Sequence, residues 1–227
     1  MCGRFTLTTP AAEVARLFSV DYLETDLPTP RYNVAPTQEV AAVRYDDRRG
    51  GRELSLLRWG LLPYWVDDPA DWPTLINARG ESAHVKPAFR EALADRRCLI
   101  VADGFYEWRR EGGRKQPYYL RRPDGAPFAL AGLWEHWERA GQSIESCAIL
   151  TTDSNELVAR LHDRMPVIIP PLGFDLWLDP EIRSHEDLEH LFRPAPEDAL
   201  VASPVSTYVN RTDHDDARCV EAVVLER

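Results

Sequence analysis

The second residue of the chain offers its most distinctive chemistry. Cys2 stands between Met1 and Gly3, and a small residue at this position permits removal of the initiator methionine. Cys2 would then carry an α-amine and a thiol on adjacent carbons, and the ordinary pKa of such an amine, about 7.7–8.0, leaves part of it neutral near pH 7. The amine can attack an aldehyde to give a Schiff base, and the thiol can close on the imine carbon to form a thiazolidine ring. A cysteine at position 2 is a weak signal alone, so this prediction depends on the residues around it.

Polar residues at the ends of predicted elements provide candidate partners for that chemistry. Asn77 and Arg79 alternate as on a strand, so both can face one cleft. Glu107 ends an apolar run, where burial would raise its pKa and make it a candidate proton carrier; pairing with Arg79 or Arg109 is the alternative. His162 follows a predicted helix, whose dipole favours the imidazolium. It is therefore a candidate general acid or phosphate ligand, or only a helix cap.

The charge and aromatic content allow nucleic-acid binding only at a local surface. The net charge of −10 argues against a uniformly basic binder. All but two of the 27 basic residues are arginine, however, and arginine offers a planar fork that matches phosphate; the bias can equally reflect codon composition. Candidate base-stacking side chains, each with core packing as its alternative, are Trp59, Tyr64, Trp65, Phe105 and Trp108.

Other classes of site find no support in the sequence. The four cysteines form no C-x-x-C pair, and Cys98 and Cys147 lie in apolar runs typical of core strands. His185 and His190 resemble a metalloprotease motif but are five residues apart, so they cannot share a metal on one helix face. We therefore expect no metal and no cofactor. No apolar run approaches the ~20 residues of a membrane span, and no signal-peptide pattern is present, so the cytoplasm is the expected location.

The hydrophobic pattern predicts more strands than helices. We expect helices at 10–19 (capped by Thr9), 87–94 and 186–192, and another that starts at Asp153. Loops are predicted at 31–37 and 63–73. Strands are predicted at 39–45, 53–59, 97–108, 118–122, 128–134, 144–152 and 220–225. Because strands and helices do not alternate regularly, the expected fold is α+β: one domain over residues 1–227 with a curved, mostly antiparallel β-sheet core and short flanking helices.

Eight segments taken together resemble the SRAP family, the SOS response-associated peptidases or abasic-site processing proteins. In this order along the chain they are Met1–Phe5, Arg31–Gln38, Arg58–Pro63, Ile76–Arg79, Lys86–Arg90, Asp103–Trp108, Ala131–Glu135 and Asn155–Pro166. The match extends to the Val205–Asn210 region, so the resemblance covers nearly the whole chain. It implies a strongly curved sheet and a function in DNA repair.

The resemblance also implies roles for individual residues. Cys2, Asn77, Glu107 and His162 would be catalytic: Cys2 forms the thiazolidine with the ring-opened sugar, and Asn77 orients the N-terminus. Glu107 would move protons during Schiff-base formation and ring closure, and His162 would assist ring opening or reversal. In the DNA groove, Arg4, Arg79 and Arg164 would hold phosphates, while Trp108 and Thr151 would line the walls.

The implied partner is single-stranded DNA that contains abasic sites, bound by a monomeric protein that associates with the nucleoid when on DNA. Gly80 departs from the family pattern, in which we expect a bulkier small polar residue, and could loosen its loop. Two alternatives remain at this point. One is a cysteine peptidase or amidohydrolase with Cys2 as N-terminal nucleophile, including self-removal of Met1. The other is a module that shields damaged DNA without chemistry.

Overall fold

The computed structural model describes residues 2–23, 27 and 30–225. Its strands are β1 (Phe5–Leu7), β2 (Tyr22–Leu23), β3 (Arg31–Val34), β4 (Glu39–Asp46), β5 (Gly51–Trp59), β6 (Asn77–Arg79), β7 (Arg97–Ala102), β8 (Gly104–Glu111), β9 (Arg114–Arg121), β10 (Phe128–Arg139), β11 (Gln142–Asp153), β12 (Arg164–Pro166), β13 (Ile168–Ile169) and β14 (Val201–Pro204). Its α-helices are α1 (Ala11–Leu17), α2 (Gly80–Ala83), α3 (Arg90–Asp95), α4 (Glu156–Ala159), α5 (Phe174–Leu178) and α6 (His185–Leu188). Short 3-10 helices occur at Pro69–Asp71, Pro171–Gly173, Glu189–Phe192, Glu197–Ala199, Thr207–Asn210 and Ala217–Val220. No helix in this part of the chain is long and apolar enough to cross a membrane.

The larger sheet is so strongly curved that β5, next to one end of its path, pairs with β11, next to the other end. Its path runs β12-β11-β10-β7-β4-β5-β2, and β5 pairs again with β11, so that β11, β10, β7, β4 and β5 form a closed ring. The closing pair is parallel and joins Arg58 to Ser146 and Trp59 to Cys147. A five-stranded sheet, in the order β14-β9-β8-β1-β3, completes the architecture. The expected α+β fold with a strongly curved, mostly antiparallel sheet is therefore confirmed.

Strand β7 shows how the larger sheet is buried on both faces. Leu99 and Val101 belong to one apolar cluster, whereas Ile100 and Ala102 belong to another. Because successive side chains of a strand point to opposite faces, a fully apolar strand requires cover on both sides. Helices α1 and α5 contribute to the first cluster, and the N-terminal residues contribute to the second. Cys98 and Cys147 are fully buried, as predicted.

The long strand predicted at 97–108 is broken at Asp103. The Asp103 carboxylate, which is 7% exposed, accepts hydrogen bonds from the hydroxyls of Thr8 (2.7 Å) and Thr9 (2.7 Å) and from both backbone N–H groups of these residues. The next residue, Gly104, lies so close to the ring of Tyr119 that a β-carbon would be 2.5 Å from it. The chain therefore leaves β7 for β8 at this point, and β8 pairs with β1 in the smaller sheet.

Other predicted bounds differ from the structure for local reasons. The helix predicted at 10–19 forms as α1 but Pro10, not Thr9, occupies its cap, because the Thr9 hydroxyl binds Asp103. Asn155 rather than Asp153 caps α4. Residues 31–34 form β3 instead of a loop because they pair with β1. The strand predicted at 220–225 is wrong: this region forms a single bridge between Val205 and Ala222.

Replacing Asp103 by alanine should lower the free energy of unfolding by about 2–4 kcal/mol, because two backbone N–H groups and two hydroxyls lose a charged acceptor near the surface of the core. Urea unfolding measures the change. Asp124→Ala, which removes an exposed carboxylate bonded to Arg122, is the control and should have little effect. Equal stability of Asp103→Ala and the wild type would show that the strand break does not depend on this carboxylate.

Candidate active site

Cys2 lies in the protein interior although it is the second residue of the chain. Its side chain is fully buried within the second apolar cluster, which also contains Phe5 and Trp59. The Asn77 side-chain amide donates a hydrogen bond of 2.9 Å to the Cys2 carbonyl oxygen. Asn77 itself is fixed because β6 pairs in parallel with β11, where Asn77 lies opposite Ile149. The backbone of the first residues is thus held by an amide from a different part of the chain.

Glu107 shares this interior space with Cys2. It lies within β8, opposite Tyr118, and is 2% exposed; the strand continues past it, so Glu107 is not at a strand end as the sequence pattern indicated. Burial raises the pKa of the Glu107 carboxyl, and the charge of His162 opposes that rise. Burial also raises the pKa of the Cys2 thiol, and the nearby charge of Glu107 raises it further. Glu107 is therefore close enough to interact electrostatically with both Cys2 and His162.

His162 follows α4, and its backbone N–H donates to the Val158 carbonyl at 2.9 Å. Its ring is about one third exposed. The Nδ1 atom accepts a hydrogen bond of 3.0 Å from the Arg164 backbone N–H, so in the neutral ring the proton is on Nε2. The same Nδ1 lies 2.7 Å from a carboxylate oxygen of Asp163.

The three predicted phosphate-binding arginines have different surroundings. Arg79 is exposed and has no hydrogen-bond or ion-pair partner within residues 2–23, 27 and 30–225. Arg4 is partly buried; its guanidinium donates to the Asn33 side chain (2.8 Å) and to the Val209 carbonyl (3.0 Å). Arg164 forms ion pairs of 2.7 Å with both Glu81 and Asp153, so its charge is already neutralised. Arg79 is the arginine of this group most available to an anion.

Trp108 and Thr151, the two residues predicted to line the DNA groove, differ in their exposure. Trp108 is partly exposed, and its indole N–H donates to the Asn210 side chain at 2.8 Å. Thr151 is fully buried, and its hydroxyl donates to the Ala78 carbonyl at 3.3 Å. In this structure Thr151 supports the strand that carries Asn77 and has no exposed surface to offer to DNA.

The aromatic side chains considered as stacking platforms divide in the same way. Trp59 and Phe105 are fully buried, so for these two residues the core-packing alternative is confirmed. Tyr64 and Trp65 are 47% and 40% exposed. Trp65 packs edge-to-face on Trp72, with ring centroids 5.0 Å apart. These exposed rings lie in the proline-rich loop predicted at 63–73.

Asn33 positions Arg4 but was not singled out by the sequence. It is fully buried, and its amide nitrogen lies within hydrogen-bond distance of three carbonyl oxygens, those of Val209 (3.1 Å), Arg211 (2.8 Å) and His214 (2.7 Å). Its amide oxygen accepts from Arg4. One side chain thereby joins β3, the N-terminal residues and the C-terminal segment. Asn33 lies within Arg31–Gln38, one of the segments that resemble the family, and this position could have indicated its importance. The loop predicted at 31–37 gave no reason to expect a buried side chain there.

Gly80, the departure from the family pattern, begins α2 directly after Arg79. A β-carbon at this position would lie 3.3 Å from the ring of Phe192. This contact is tight enough that a larger residue requires the ring to move slightly. The phenyl ring thus packs where a side chain would be, and Gly80 does not leave a gap.

The arrangement as a whole suits proton-coupled chemistry at the start of the chain. A buried carboxyl with a raised pKa, that of Glu107, lies close enough to the Cys2 thiol and to His162 to interact electrostatically with each, and Asn77 holds the Cys2 backbone. Within the described residues no group of three or more histidine, cysteine or acidic side chains is arranged to hold a metal ion. The exposed Arg79 and the partly exposed Arg4 and Trp108 lie on the elements that surround this site.

Known proteins resemble the chain over nearly its full length. An abasic site processing protein of Bacillus subtilis strain 168, YoaM, is 39% identical over 225 residues, which cover 98% of each chain. The abasic site processing protein YedK of Escherichia coli K12 is 31% identical over 229 residues, covering 98% of this chain and all of YedK. A crystal structure of a protein from Bacteroides thetaiotaomicron superposes with a TM-score of 0.87 at 25% identity and covers 98% of this chain and all of that one.

The model of one protein family accounts for most of the chain. Its description is "SOS response associated peptidase (SRAP)", and it matches residues 1–212. The matched range includes Cys2, Asn77, Glu107 and His162 as well as the Asn33 and Asn210 side chains described above. On this match and on the identities of its relatives, the chain belongs to the SRAP family of abasic-site processing proteins.

Proposed function

We propose that this protein captures abasic sites in single-stranded DNA by forming a thiazolidine between Cys2 and the ring-opened deoxyribose. The observation that carries the proposal is the hydrogen bond from Asn77 to the Cys2 carbonyl, because it fixes the residue whose amine must react beside a buried carboxyl. Removal of Met1 frees that amine. The names of the relatives, abasic site processing proteins, support the choice of substrate.

The proposed reaction consumes one aldehyde and releases one water. Ring opening moves a proton from the anomeric hydroxyl to the ring oxygen, and the proposed donor of that proton is His162 Nε2, which carries the proton in the neutral ring. The amine of Cys2 then adds to the aldehyde carbon, and loss of water gives the imine. The thiol sulfur finally adds to the imine carbon while the thiol proton passes to nitrogen. No oxidant or reductant is needed.

The raised pKa of the Cys2 thiol favours this order of steps. At neutral pH the thiol is protonated, so the amine is the better first nucleophile and the thiol follows as a proton donor. Glu107, whose pKa burial raises, can accept a proton from the attacking amine and return it to the departing hydroxyl. We propose Cys2, Asn77, Glu107 and His162 as the catalytic set.

The DNA would lie over the exposed face next to this site. We propose that Arg4 and Arg79 hold phosphates and that Trp108 lines the groove, held by Asn210. Arg164 is already paired with carboxylates and Thr151 is buried, so in this proposal both support the groove: Arg164 neutralises Glu81 and Asp153, which would otherwise repel the strand. A single strand is required because the sugar must leave the stack to reach a buried residue.

A cysteine peptidase or amidohydrolase is the second candidate, favoured by the word peptidase in the family description. Its minimal reaction is hydrolysis of the Met1–Cys2 peptide bond. A thiolate nucleophile works best with a lowered pKa, and the Cys2 thiol has the opposite shift. The proposal therefore restricts any peptidase activity to removal of Met1.

Replacing Cys2 by alanine should abolish the stable crosslink to an abasic single strand, and Cys2→Ser should leave only a labile adduct. Denaturing gels with abasic and intact oligonucleotides measure the product, and intact mass should show that the wild type lacks Met1. A stable crosslink formed by Cys2→Ala, or by wild-type protein that retains Met1, would exclude the thiazolidine. Wild-type cleavage of unrelated peptides would instead support the peptidase.

Glu107→Gln should slow crosslink formation by about 10²–10⁴-fold while DNA affinity is kept, because the amide preserves the shape but cannot exchange protons. The wild-type rate should rise with pH as Glu107 loses its proton, at a higher pH than for an ordinary carboxyl, and this rise should be absent from the variant. Single-turnover time courses across pH measure both effects. The exposed Glu138→Gln is the control; equal rates for Glu107→Gln and wild type would remove Glu107 from the mechanism.

Arg79→Ala should weaken binding to single strands of any sequence and flatten the salt dependence, log Kd against log salt, by about 0.7 for one lost phosphate contact. Anisotropy titrations at several salt concentrations provide the slope. Arg48→Ala, an exposed arginine in the turn between β4 and β5, is the matched control and should leave the slope unchanged. If both variants keep the wild-type slope, Arg79 does not contact phosphate.

A further inference from the structure

A groove away from the Cys2 site has no part in the chemistry described above. It has a volume of about 560 Å³, within the roughly 300–1,000 Å³ range of ligand pockets. Five prolines line it, and it is called the proline groove here: Pro127, Pro170, Pro171, Pro194 and Pro196. Its other walls are mostly apolar and include Phe18, Phe128 and Ile168. None of the four proposed catalytic residues lines the groove.

The prolines determine what kind of ligand the groove can bind. A proline has no backbone N–H and a fixed φ, so these walls are rigid and offer few hydrogen-bond donors. Such walls offer few donors for backbone pairing, and they favour burial of apolar side chains at a low entropic cost. Leu172 follows Pro171 in the chain and is 98% exposed.

The ionisable side chains among the described residues that line the groove are all basic. Although the chain has more acidic than basic residues, no carboxylate belongs to the described residues that line the groove, whereas Arg122, His190 and Arg193 do. Arg122 is bonded to Asp124. Arg193 is exposed and has no partner in the described part of the chain.

A neighbouring cavity has the opposite character. It shares Leu17, Pro171 and Phe174 with the proline groove but is lined by five carboxylates, those of Asp21, Asp47, Asp175, Asp179 and Glu181, and by two arginines, Arg52 and Arg183. Because carboxylates outnumber arginines there, an anionic group is disfavoured on that side. It is favoured beside Arg193 and His190, where no carboxylate of the described residues lines the groove.

We propose that the proline groove binds a short peptide segment of a partner protein, with two or three apolar side chains followed by carboxylates. The apolar side chains fill the groove, and the carboxylates, including a free C-terminus, lie over Arg193 and His190. This site is independent of the reaction proposed for Cys2.

The wall of the groove is connected to the element that precedes His162. The Ala195 carbonyl accepts a hydrogen bond of 2.9 Å from the Asn155 side-chain amide, and the oxygen of the same amide caps α4 by accepting from the Val158 N–H at 2.9 Å. A bound peptide would therefore contact a wall that is already fixed. The groove is a preformed site, and its occupation requires no rearrangement of α4.

The test measures fluorescence anisotropy of a labelled peptide, Leu-Pro-Phe-Asp-Asp with a free C-terminus, titrated with the full-length protein. We expect saturable binding that Arg193→Glu weakens at least tenfold and that Ala199→Phe, which fills the groove, also weakens. Arg48→Glu makes the same charge change elsewhere and should bind as wild type. All three variants should crosslink abasic DNA at the wild-type rate, which shows that they are folded.

Three results would overturn the proposal. The first is equal binding of an amidated peptide in which asparagine replaces aspartate, since the charges would then be irrelevant. The second is that laurate displaces a dye from the groove while the peptide does not bind, which indicates a small amphipathic anion. The third is a concentration-dependent dimer in sedimentation that Leu172→Glu abolishes, which assigns the groove to a second copy of the chain.

Discussion

Burial of the N-terminal residues is the constraint on which the rest of the structure depends. The start of a chain is usually exposed and poorly fixed, but here Cys2 is fully buried and Phe5 packs against Trp59 with ring centroids 5.2 Å apart. The smaller sheet holds this segment in place, because β1 lies between β3 and β8. Asp103 secures the residues that follow, at the point where the chain passes between the two sheets.

This burial also sets the electrostatics of the site. Removing the Cys2 thiol and the Glu107 carboxyl from water raises the pKa of both, and the charge of Glu107 raises the pKa of the Cys2 thiol further. An interior with two such acids is stable only when little charge is present, so a neutral electrophile such as the proposed aldehyde would fit it better than an ion. In the proposed complex the phosphates of the DNA strand would remain outside, where Arg79 is exposed.

The sequence allowed prediction of the fold class, the buried cysteines and most strands, because these follow from alternating or continuous apolar residues. The strand break at Asp103 and the pairing of residues 31–34 depend on partners distant in the chain, which local patterns do not contain. The same limit applies to the site. Residue types indicated Cys2, Glu107 and His162. They could not show that ion pairs occupy the Arg164 guanidinium or that packing buries Thr151, because these contacts form only in the folded chain.

The bonds of Asn33 make the two ends of the chain depend on each other. Arg4 is held by Asn33 and by the carbonyl of Val209, and Asn33 in turn is held by carbonyls as late as His214. During synthesis Arg4 is made about two hundred residues before Val209 and His214, so its surroundings cannot form until those residues have been added. A chain that stops before Val209 would therefore contain Cys2 and Arg4 without these contacts.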